Sequence, residues 1–289
     1  MVTSLKKRAG HFCPAFLFVK EADMVNVIVC GACGRMGKMI AQGVTQQQDM
    51  QVVGAIEYHG HAQIGQDVGE VAGIGKLNVP VSSNLPAALE KGDVVIEFTT
   101  PAATLEHLQN VVDAGKAMVI ATTGFKREEL DELHKLTAQI PVVMAPNMSV
   151  GVNVLLQAIQ VVAKALGDDY DVEVIEAHHN QKVDSPSGTA LRIAEVLTTT
   201  LNRDLGEVGL YGRHGIVGAR TRKEIGVHAV RGGDIVGDHT VLFAGAGERL
   251  EIVHRAHSRE SFARGAIRAA RWVVNAPKGL HDISEVLFG

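Results

Sequence analysis

The sequence predicts an α/β protein of two domains, the first built on a parallel sheet and the second an α+β domain with a mixed or antiparallel sheet. Three observations support this prediction. A glycine-rich loop joins the first apolar strand to a helix, strands and helices then alternate to about residue 150, and the later strands follow one another with few helices between them. Alternation favours a parallel sheet, whereas consecutive strands joined by turns favour antiparallel pairing.

The composition is that of a globular protein, since 46% of the 289 residues are hydrophobic and 21% are charged. This length allows two domains with separate cores. The formal net charge of -4 provides no positive field, so we expect no nucleic acid and no anionic membrane surface as partner. No apolar run approaches the roughly 18 to 20 residues of a spanning helix, which predicts that no segment crosses a bilayer.

Residues 1–23 precede the first predicted strand and form an N-terminal extension. They carry a small basic cluster and the short apolar run AFLFV, which is too brief for the core of a secretory signal. Three interpretations are open: a targeting peptide, a disordered extension, and an upstream start codon with Met24 as the true first residue. We favour the last two and expect the fold to begin at Met24.

The first predicted strand, VNVIVC, leads into the loop GACGRMG, where Gly31, Gly34 and Gly37 are three residues apart. Glycines at a strand-to-helix turn let the backbone approach a pyrophosphate, whose charge the free amides of the helix N terminus stabilise. The next apolar run ends at Glu57, twenty residues after Gly37, where such a fold places an acid for the ribose hydroxyls. A solvated glutamate is the alternative. Loop and acid together predict a Rossmann-like dinucleotide site.

The three cysteines, Cys13, Cys30 and Cys33, are an odd and sparse set, which argues against a secreted disulfide framework and indicates a reducing compartment. Cys30 and Cys33 form a C-x-x-C pair, which could be redox-active or supply half a zinc site. No second C-x-x-C or C-x-x-H lies nearby to complete four ligands, so we expect no metal. We interpret Cys30 as a small buried side chain at the end of its strand.

Three more apolar strands follow, within DVVIEFTTP, KAMVIATTG and PVVMAPNMSVG, and helical segments separate them. Ligands bind beyond the carboxyl ends of parallel strands, where these runs become small or polar. Turn formation is the alternative role for any one of those residues. The residues expected to line the nicotinamide half of the cleft are Thr99, Thr100, Thr122, Thr123, Gly124 and Asn147.

The pattern changes after Gly151, where we predict a helix, an alternating strand over YDVEVIEAHH, and a second helix with Ser187 as its N-cap. Three strands follow without long helices between them. The last amphipathic segment, 258–274, is expected to return to the first domain. The predicted domains are residues 24–149 with 259–289, and residues 150–258.

The segment EAHHNQKVDSPSGTA, residues 176–190, places many polar groups where a strand of the second domain ends. His178 and His179 point to opposite faces of a strand, so we do not expect them to bind one metal, and structural histidines are the alternative. Lys182 and the amides of Gly188 and Thr189, near a helix N terminus, form an anion site. This predicts a substrate that carries a carboxylate.

A second basic cluster flanks this segment in sequence and is opposed only by Glu224. A run of this kind is more often a solvated surface, although the glycines of GRHGIVGAR favour a shaped loop. The cluster consists of Arg213, Arg220, Arg222, Lys223 and Arg231.

The run EVIEAHHNQKVDSPSGTA, residues 173–190, resembles without a break the E-x-x-E-x-H-x-x-x-K-x-D-x-P-S-G-T-A signature of the bacterial dihydrodipicolinate reductase family. The resemblance extends from about Val25 to the C terminus, and residues 1–23 fall outside it. The other blocks that carry it are, in order, GACGRMG, EFTTP, ATTGF, APNMSVGVN, RHGIVGAR and VRGGDIVGDH.

This resemblance implies an enzyme of diaminopimelate and lysine biosynthesis that reduces 4-hydroxy-tetrahydrodipicolinate (dihydrodipicolinate) to tetrahydrodipicolinate with NADH or NADPH. It implies a cytoplasmic homotetramer, with residues 150–258 binding substrate and assembling the oligomer. Two rival classes share parts of the pattern: an amino-acid dehydrogenase would not need the whole 173–190 block, and a dinucleotide-sensing regulator would need a DNA-binding helix pair or basic face, which we do not find.

The family's functional residues fall on matching positions of this chain. His178 is implied as proton donor and acceptor, and Lys182 as the residue that assists protonation and holds substrate. His179, Gly188 and Thr189 are implied to bind the substrate carboxylate. The residues implied to contact the dinucleotide are Gly31, Ala32, Cys33, Gly34, Arg35, Met36, Glu57, Ala121, Thr122, Thr123, Ala145, Pro146, Asn147 and Met148.

Two positions depart from the family. Cys33 replaces a glycine common in the loop, a position that tolerates a small side chain. Tyr58, followed by His59, replaces an arginine that can bind a 2′-phosphate. Because Glu57 suits free ribose hydroxyls and Tyr58 adds no positive charge, we expect NADH to be used at least as well as NADPH.

Overall fold

The computed structural model describes residues 24–289, which form two sheets with helices packed against them. The first sheet has seven strands, all parallel, and the second has five strands in a mixed arrangement. The predicted fold class is therefore confirmed. The predicted N-terminal extension, residues 1–23, lies outside the described residues.

The secondary structure elements are numbered along the chain. The strands are β1 (Val25–Cys30), β2 (Met50–Ile56), β3 (Val81–Ser82), β4 (Val94–Glu97), β5 (Ala117–Ile120), β6 (Pro141–Met144), β7 (Asp171–His178), β8 (Gly209–Tyr211), β9 (Ile225–Arg231), β10 (Gly237–Gly245), β11 (Glu248–Ala256) and β12 (Gly279–His281). The helices are α1 (Arg35–Thr45), α2 (Val68–Ala72), α3 (Leu85–Leu89), α4 (Pro101–Asp113), α5 (Arg127–Thr137), α6 (Val150–Leu166), α7 (Gly188–Thr200), α8 (Leu205–Val208), α9 (Glu260–Val273) and α10 (Ile283–Phe288).

The seven strands of the first sheet have the order β12-β6-β5-β4-β1-β2-β3. Every residue of β4 and β5 is buried, because helices cover both faces of the sheet and leave no solvated side. Helices α1 and α9 pack on one face, while α3, α4 and α5 contribute to the core on the other. All seven strands end at the same edge, which is where the sequence predicts the ligand site.

The C-terminal segment returns to this first sheet. Strand β12 pairs in parallel with β6, and α9 packs against α1 and the sheet. The small side chains Ala266 and Ala270 allow that close packing, since both are fully buried. Gly265 approaches even more closely, because a Cβ there would lie 1.6 Å from the carbonyl oxygen of Met148.

The second sheet has the order β11-β10-β7-β9-β8, with β7 parallel to β9 and antiparallel to β10. Helices α6 and α7 pack together over one face. Alternate residues of β7 face those helices, so that Val172 and Val174 are buried with Phe243 of β10. The opposite face is partly exposed and carries Ile175, among other apolar side chains.

Helix α6 corrects one expectation from the sequence. With the 3-10 turn that follows it, Val150–Asp169 forms a helical segment of 20 residues that could cross a membrane by length and composition alone. The prediction that no apolar run approaches this length is therefore wrong. Its buried residues Val152, Leu155, Ile159 and Ala163 face the protein interior, as in the core helix of a globular domain. A single helix of this kind is a weak indication of a membrane span.

Several short elements were not predicted from the sequence, namely β3, β8, β12, α2, α3, α8 and α10. None is longer than six residues. A segment of that length contains too few residues for its hydrophobic periodicity to separate helix, strand and turn.

We predict that Gly265→Ala destabilises the protein by about 1–3 kcal/mol, because the added methyl group must push α9 away from Met148. The free energy of unfolding, measured by urea denaturation, checks this. Arg268→Ala, on the exposed side of α9, is the matched control and should change it by less than about 0.5 kcal/mol. Equal stability of Gly265→Ala and the wild type would show that α9 does not approach this closely.

Candidate active site

A cavity of about 970 Å³ lies where the carboxyl end of the parallel sheet meets the end of β7. Its volume is within the range of about 300–1,000 Å³ that is typical of sites for small ligands. The cavity brings together residues predicted for substrate and for cofactor. Those that line it are His178, His179, Lys182, Gly188 and Thr189 from the second domain, and Thr123, Ala145, Pro146 and Asn147 from the first.

A direct contact joins the two groups. The side-chain amide of Asn147 donates to the hydroxyl oxygen of Thr189 at 3.0 Å. Asn147 is itself held in place, since its Oδ1 accepts from the amide of Ser149 and its carbonyl oxygen accepts from Asn153. Residues predicted for cofactor and residues predicted for substrate are therefore joined within the cavity by short polar contacts.

The glycines of the loop after β1 allow a sharp turn and close packing of the loop against α1. Gly31 has φ of +69°, and a Cβ on Gly37 would lie 2.2 Å from the carbonyl oxygen of Gly31. Gly34, the N-cap of α1, makes no side-chain capping bond, and the first turn of α1 contains no acidic residue. The amides of that turn are therefore available to an anion, which fits the pyrophosphate of a dinucleotide.

Glu57 lies immediately after β2 and contacts this loop. Its carboxylate accepts from the amide of Cys33 at 3.1 Å and from the amide of Tyr58 at 3.2 Å. Burial, and then the charge of Glu57, raise the pKa of the Cys33 thiol to about 11. Burial likewise raises the pKa of Cys30 well above its usual range. Both thiols are therefore protonated at neutral pH, which argues against the redox interpretation of this pair.

The other predicted cofactor residues lie along the same edge. Ala121 and Thr122 follow β5, and Met148 is buried beneath α9. The Thr122 hydroxyl accepts from Thr104, while Thr100 caps α4. Thr100 and Thr122 therefore make local structural contacts. This is the role that the sequence left open as the alternative to lining the nicotinamide site. Thr99 also makes a local contact, since its amide donates to Glu97 at 2.9 Å.

The end of β7 carries His178, which is 9% exposed. Its Nδ1 lies 2.7 Å from Oε2 of Glu176, a carboxylate that is completely buried. Glu176 also accepts two hydrogen bonds from Arg231, at 2.7 and 2.8 Å. His239 lies on the other side of His178, with ring centroids 5.2 Å apart.

Lys182 lies in the loop after β7, where its Nζ is 2.8 Å from Oδ1 of Asp184. The hydrogen bond from Lys182 is the main reason why the pKa of Asp184 is lowered. Ser187 caps α7 by accepting from the amide of Ala190, which leaves the first amides of the helix, at Gly188 and Thr189, without partners inside the helix. The loop and the helix terminus therefore offer a cation and two donors to the same cavity.

Three members of the second basic cluster form ion pairs, of which Arg213 is exposed, as expected for a solvated surface, whereas Arg220 and Arg231 are partly buried. Arg231 is bound to Glu176, Arg213 to Glu173 and Glu224, and Arg220 to Asp171. The strand β7 supplies most of these carboxylates from positions about 40 to 55 residues away in sequence. Apart from Glu224, which lies within the cluster, only the pairing of strands brings these carboxylates to the arginines, so the sequence around the cluster contains no sign of them.

Sequence reasoning missed Glu176, which contacts His178 without lining the cavity, and it missed several residues of the cavity itself. Glu176 could have been found, because it lies two residues before His178 and so points to the same face of the strand. For the cavity residues the sequence holds no comparable signal. The remaining cavity residues include Asn153, Gln157, Gln160, Arg192, Glu195, Arg259, Phe262, Asp282 and Ser284.

Two groups of possible metal ligands occur among residues 24–289, and neither contains His178 or His179. One consists of Cys30, Glu97 and His107, and the other of Cys33, Glu57 and His61, with ligand atoms within 4.8 Å of one another in each group. The expectation that the protein binds no metal stays a prediction.

A parallel sheet with an open glycine loop, an acid after the second strand, and a cavity lined by histidine, lysine and helix amides define a two-domain oxidoreductase that binds a dinucleotide. Comparison with known proteins then specifies the family. The family model for the dihydrodipicolinate reductase N-terminus matches residues 25–148, and the model for its C-terminus matches residues 151–287. The chain belongs to the dihydrodipicolinate reductase family, which confirms the resemblance seen in the sequence.

Relatives and solved structures agree with this assignment. Two proteins named 4-hydroxy-tetrahydrodipicolinate reductase are 51% identical (Syntrophobacter fumaroxidans) and 48% identical (Syntrophus aciditrophicus), each covering 91% of this chain, and 99% and 98% of the relatives. Dipicolinate-bound dihydrodipicolinate reductase from Paenisporosarcina sp. TG-14 has a TM-score of 0.73 at 26% identity, covering 91% of this chain and 98% of the other. Amine dehydrogenase from Mycobacterium smegmatis, at 16% identity and a TM-score of 0.57, shares the fold alone.

Proposed function

We propose that this protein reduces 4-hydroxy-tetrahydrodipicolinate (dihydrodipicolinate) to tetrahydrodipicolinate with NADH or NADPH, in diaminopimelate and lysine biosynthesis. The observation that carries the proposal is the meeting of His178, Lys182 and the amides of α7 in one cavity with residues of the dinucleotide edge. The names of the relatives and the dipicolinate bound to the Paenisporosarcina enzyme support the same substrate class.

The substrate is a dicarboxylate, and the cavity contains groups that bind such a molecule. The ammonium group of Lys182 and the amides of Gly188 and Thr189 donate to one carboxylate, with His179 beside them. In the free enzyme Lys182 pairs with Asp184, a residue whose side chain is 54% exposed. A substrate carboxylate takes the place of this exposed partner, because an exposed ion pair adds little stability.

His178 protonates the substrate. Addition of hydride to an unsaturated ring builds negative charge, which an acid close to neutral pH can remove. When bound, the reduced nicotinamide supplies the hydride. Lys182 orients the substrate and assists protonation by placing a positive charge beside the developing anion.

The dinucleotide binds along the carboxyl edge of the parallel sheet. The open amides of α1 hold the pyrophosphate and Glu57 accepts from the ribose hydroxyls. The proposed contacts are Gly31, Ala32, Cys33, Gly34, Arg35, Met36, Glu57, Ala121, Thr122, Thr123, Ala145, Pro146, Asn147 and Met148. Asn147 and Thr123, which also line the cavity, are next to the nicotinamide.

The two domains divide these tasks. Residues 24–149 and 259–289 form the dinucleotide-binding domain, a proposal supported by the pairing of β12 with β6 and the packing of α9 on α1. Residues 150–258 bind substrate and assemble the oligomer. All five strands of the second sheet belong to this range.

The enzyme is a cytoplasmic homotetramer that assembles through the second sheet. The face opposite α6 and α7 carries Ile175, Val230 and Val253, which are 39, 49 and 40% exposed. Ile175, Thr240 and Val253 form one row across β7, β10 and β11. An exposed apolar patch of this kind on a sheet is typical of a surface covered by a further subunit.

The proposed reaction is tested by a coupled assay in which substrate is made enzymatically and nicotinamide absorbance is followed. Oxidation of the cofactor should require both substrate and enzyme. Absence of oxidation with NADH and with NADPH would contradict the proposed function.

We predict different kinetic effects for the two central residues. His178→Gln keeps a polar group but removes the acid, so kcat should fall by about 10²- to 10⁴-fold with little change in KM. Lys182→Ala should raise KM and lower kcat together, because lysine contacts substrate in both ground and transition states. Dinucleotide affinity, measured by nicotinamide fluorescence, should be unchanged in both.

The matched controls for this prediction are His134→Gln and Lys135→Ala, which change exposed residues of α5. Both should retain wild-type kinetics. Turnover of a folded His178→Gln protein within about threefold of wild type, a barrier change of only about 0.65 kcal/mol, would contradict the role of His178.

We predict that kcat/KM for NADH at least equals that for NADPH. Glu57 repels a 2′-phosphate, and the neighbouring Tyr58, which is 67% exposed, adds no positive charge. Tyr58→Arg should shift the ratio towards NADPH. A wild-type preference for NADPH of about tenfold or more would be inconsistent with this prediction and would indicate that Arg35 or Lys76 reaches the phosphate.

We predict that Ile175→Lys dissociates the homotetramer, because four charges would then have to be buried in the apolar interface. Sedimentation velocity measures the change in mass. Val161→Lys places the same charge on an exposed position of α6, 70% exposed, and should leave the mass unchanged. A monomeric wild type would rule out the proposed assembly.

A further inference from the structure

The carboxylate of Glu176 accepts hydrogen bonds on both oxygens. Oε1 accepts from the amide of Ser187 at 3.0 Å and from Arg231 at 2.8 Å, while Oε2 lies 2.7 Å from Arg231 and 2.7 Å from Nδ1 of His178. Burial by itself would raise the pKa of Glu176, but the bonds from Arg231, His178 and Ser187 outweigh it and lower that pKa. Glu176 is therefore ionised at neutral pH and can only accept.

An ionised partner decides where the ring proton of His178 lies. Nδ1 must carry a hydrogen in order to donate to Oε2 of Glu176, whether the ring is neutral or positively charged. The other nitrogen, Nε2, is therefore the atom that gains and loses a proton. His178 lines the cavity, so a substrate there can reach its ring, and a side chain at the neighbouring Gly237 would crowd Nε2, since a Cβ would lie 3.0 Å away.

We infer that Glu176 and Arg231 are positioning residues for His178: the buried ion pair holds the proton on Nδ1 and makes Nε2 the atom that exchanges a proton with substrate. This inference rests on the proposed function of His178 as the proton donor. Neither residue lies among those that line the cavity, so both act through their hydrogen bonds.

Arg231 connects the histidine with the substrate lysine. Its guanidinium binds Glu176 with two nitrogens, and it also donates to the carbonyl oxygen of Asp184 at 2.8 Å. Asp184 is the residue that pairs with Lys182. One partly buried cation thus fixes the orientation of His178 and the loop from which Lys182 reaches the cavity.

The remaining ionisable neighbours do not oppose a positive charge on His178. Burial, and then the charge of His178 itself, lower the pKa of His239 to about 4, so that this ring is neutral above that pH. His254, behind His239 at a centroid distance of 6.4 Å, also has a pKa lowered by burial. Among residues 24–289, the charged groups that hydrogen bonds link to His178 are Glu176, then Arg231, and through Arg231 the pair formed by Lys182 and Asp184.

The first test is Glu176→Gln, which keeps the shape of the side chain and removes its charge. We expect kcat at pH 7 to fall by about 10- to 100-fold, with dinucleotide affinity unchanged. A proton donor must be protonated, so wild-type kcat falls as pH rises. Without the carboxylate that stabilises the positive ring, the pH at which kcat is halved should move lower by about one unit.

A double variant separates positioning from support of the fold. Glu176→Gln leaves Arg231 without its partner, and adding Arg231→Gln removes that unpaired cation, so the melting temperature should recover. If the pair positions His178, kcat and the pH midpoint stay as low as in Glu176→Gln. Recovery of kcat together with the melting temperature would overturn the inference.

Glu173→Gln is the matched control, because Glu173 lies on the same strand and has the same kinds of partner. It is 2.7 Å from Nε2 of His228 and accepts from Arg213 at 2.7 Å, on the opposite face of the sheet. This variant should lose stability without moving the pH midpoint of kcat. If the pH midpoint of kcat moved equally in Glu173→Gln, loss of a negative charge anywhere on the strand would explain the shift, and the inference would be overturned.

The tautomer can be measured without any turnover, which distinguishes failure of this inference from failure of the proposed reaction. In the wild-type protein labelled with ¹⁵N-histidine, NMR should show His178 with its proton on Nδ1 when the ring is neutral, and His178→Gln assigns the signal. A neutral ring protonated on Nε2 would overturn the inference even in a fully active enzyme.

Discussion

The structure of the site depends on one constraint: the buried carboxylate of Glu176 must be paired. An ionised group without partners in the interior would cost several kcal/mol, so the chain around it has to supply donors. They come from three separate segments, namely β7 through His178, β9 through Arg231, and the start of α7 through Ser187. The hydrogen bonds to this one carboxylate therefore hold His178, the parallel strand β9 and the start of α7 in fixed positions relative to one another.

This constraint extends to the substrate groups. Ser187, whose amide donates to Glu176, also caps α7 with its hydroxyl, and that hydroxyl lies 3.2 Å from His239. The amides of Gly188 and Thr189 follow directly and so have a defined position relative to His178. Through the bond from Asn147 to Thr189, the same arrangement reaches the parallel sheet and its dinucleotide edge. The proposed proton donor, carboxylate site and cofactor edge are thus parts of one connected hydrogen-bonded structure.

Local sequence patterns predicted the parts of this site that depend on neighbouring residues. The glycine spacing, the acid at Glu57 and the cap at Ser187 each follow from a few adjacent positions, and the fold class follows from the order of strands and helices. The sequence does not reveal the partner of Arg231, because Glu176 lies 55 residues earlier and only the pairing of β7 with β9 joins them. His239 has no sequence signal either, since its contact with His178 needs the antiparallel pairing of β10 with β7.

The two ion pairs beside the substrate differ in how easily each can separate. Lys182 and Asp184 form a pair in which the aspartate is more than half exposed, so solvent replaces the contact at small cost. Glu176 and Arg231 are different, because the carboxylate is completely buried and removing either partner would leave an uncompensated charge. In the proposed reaction the exposed pair therefore exchanges its aspartate for a substrate carboxylate. The pair of Glu176 and Arg231 remains intact and, as we infer, keeps the proton of His178 on the same nitrogen while that exchange takes place.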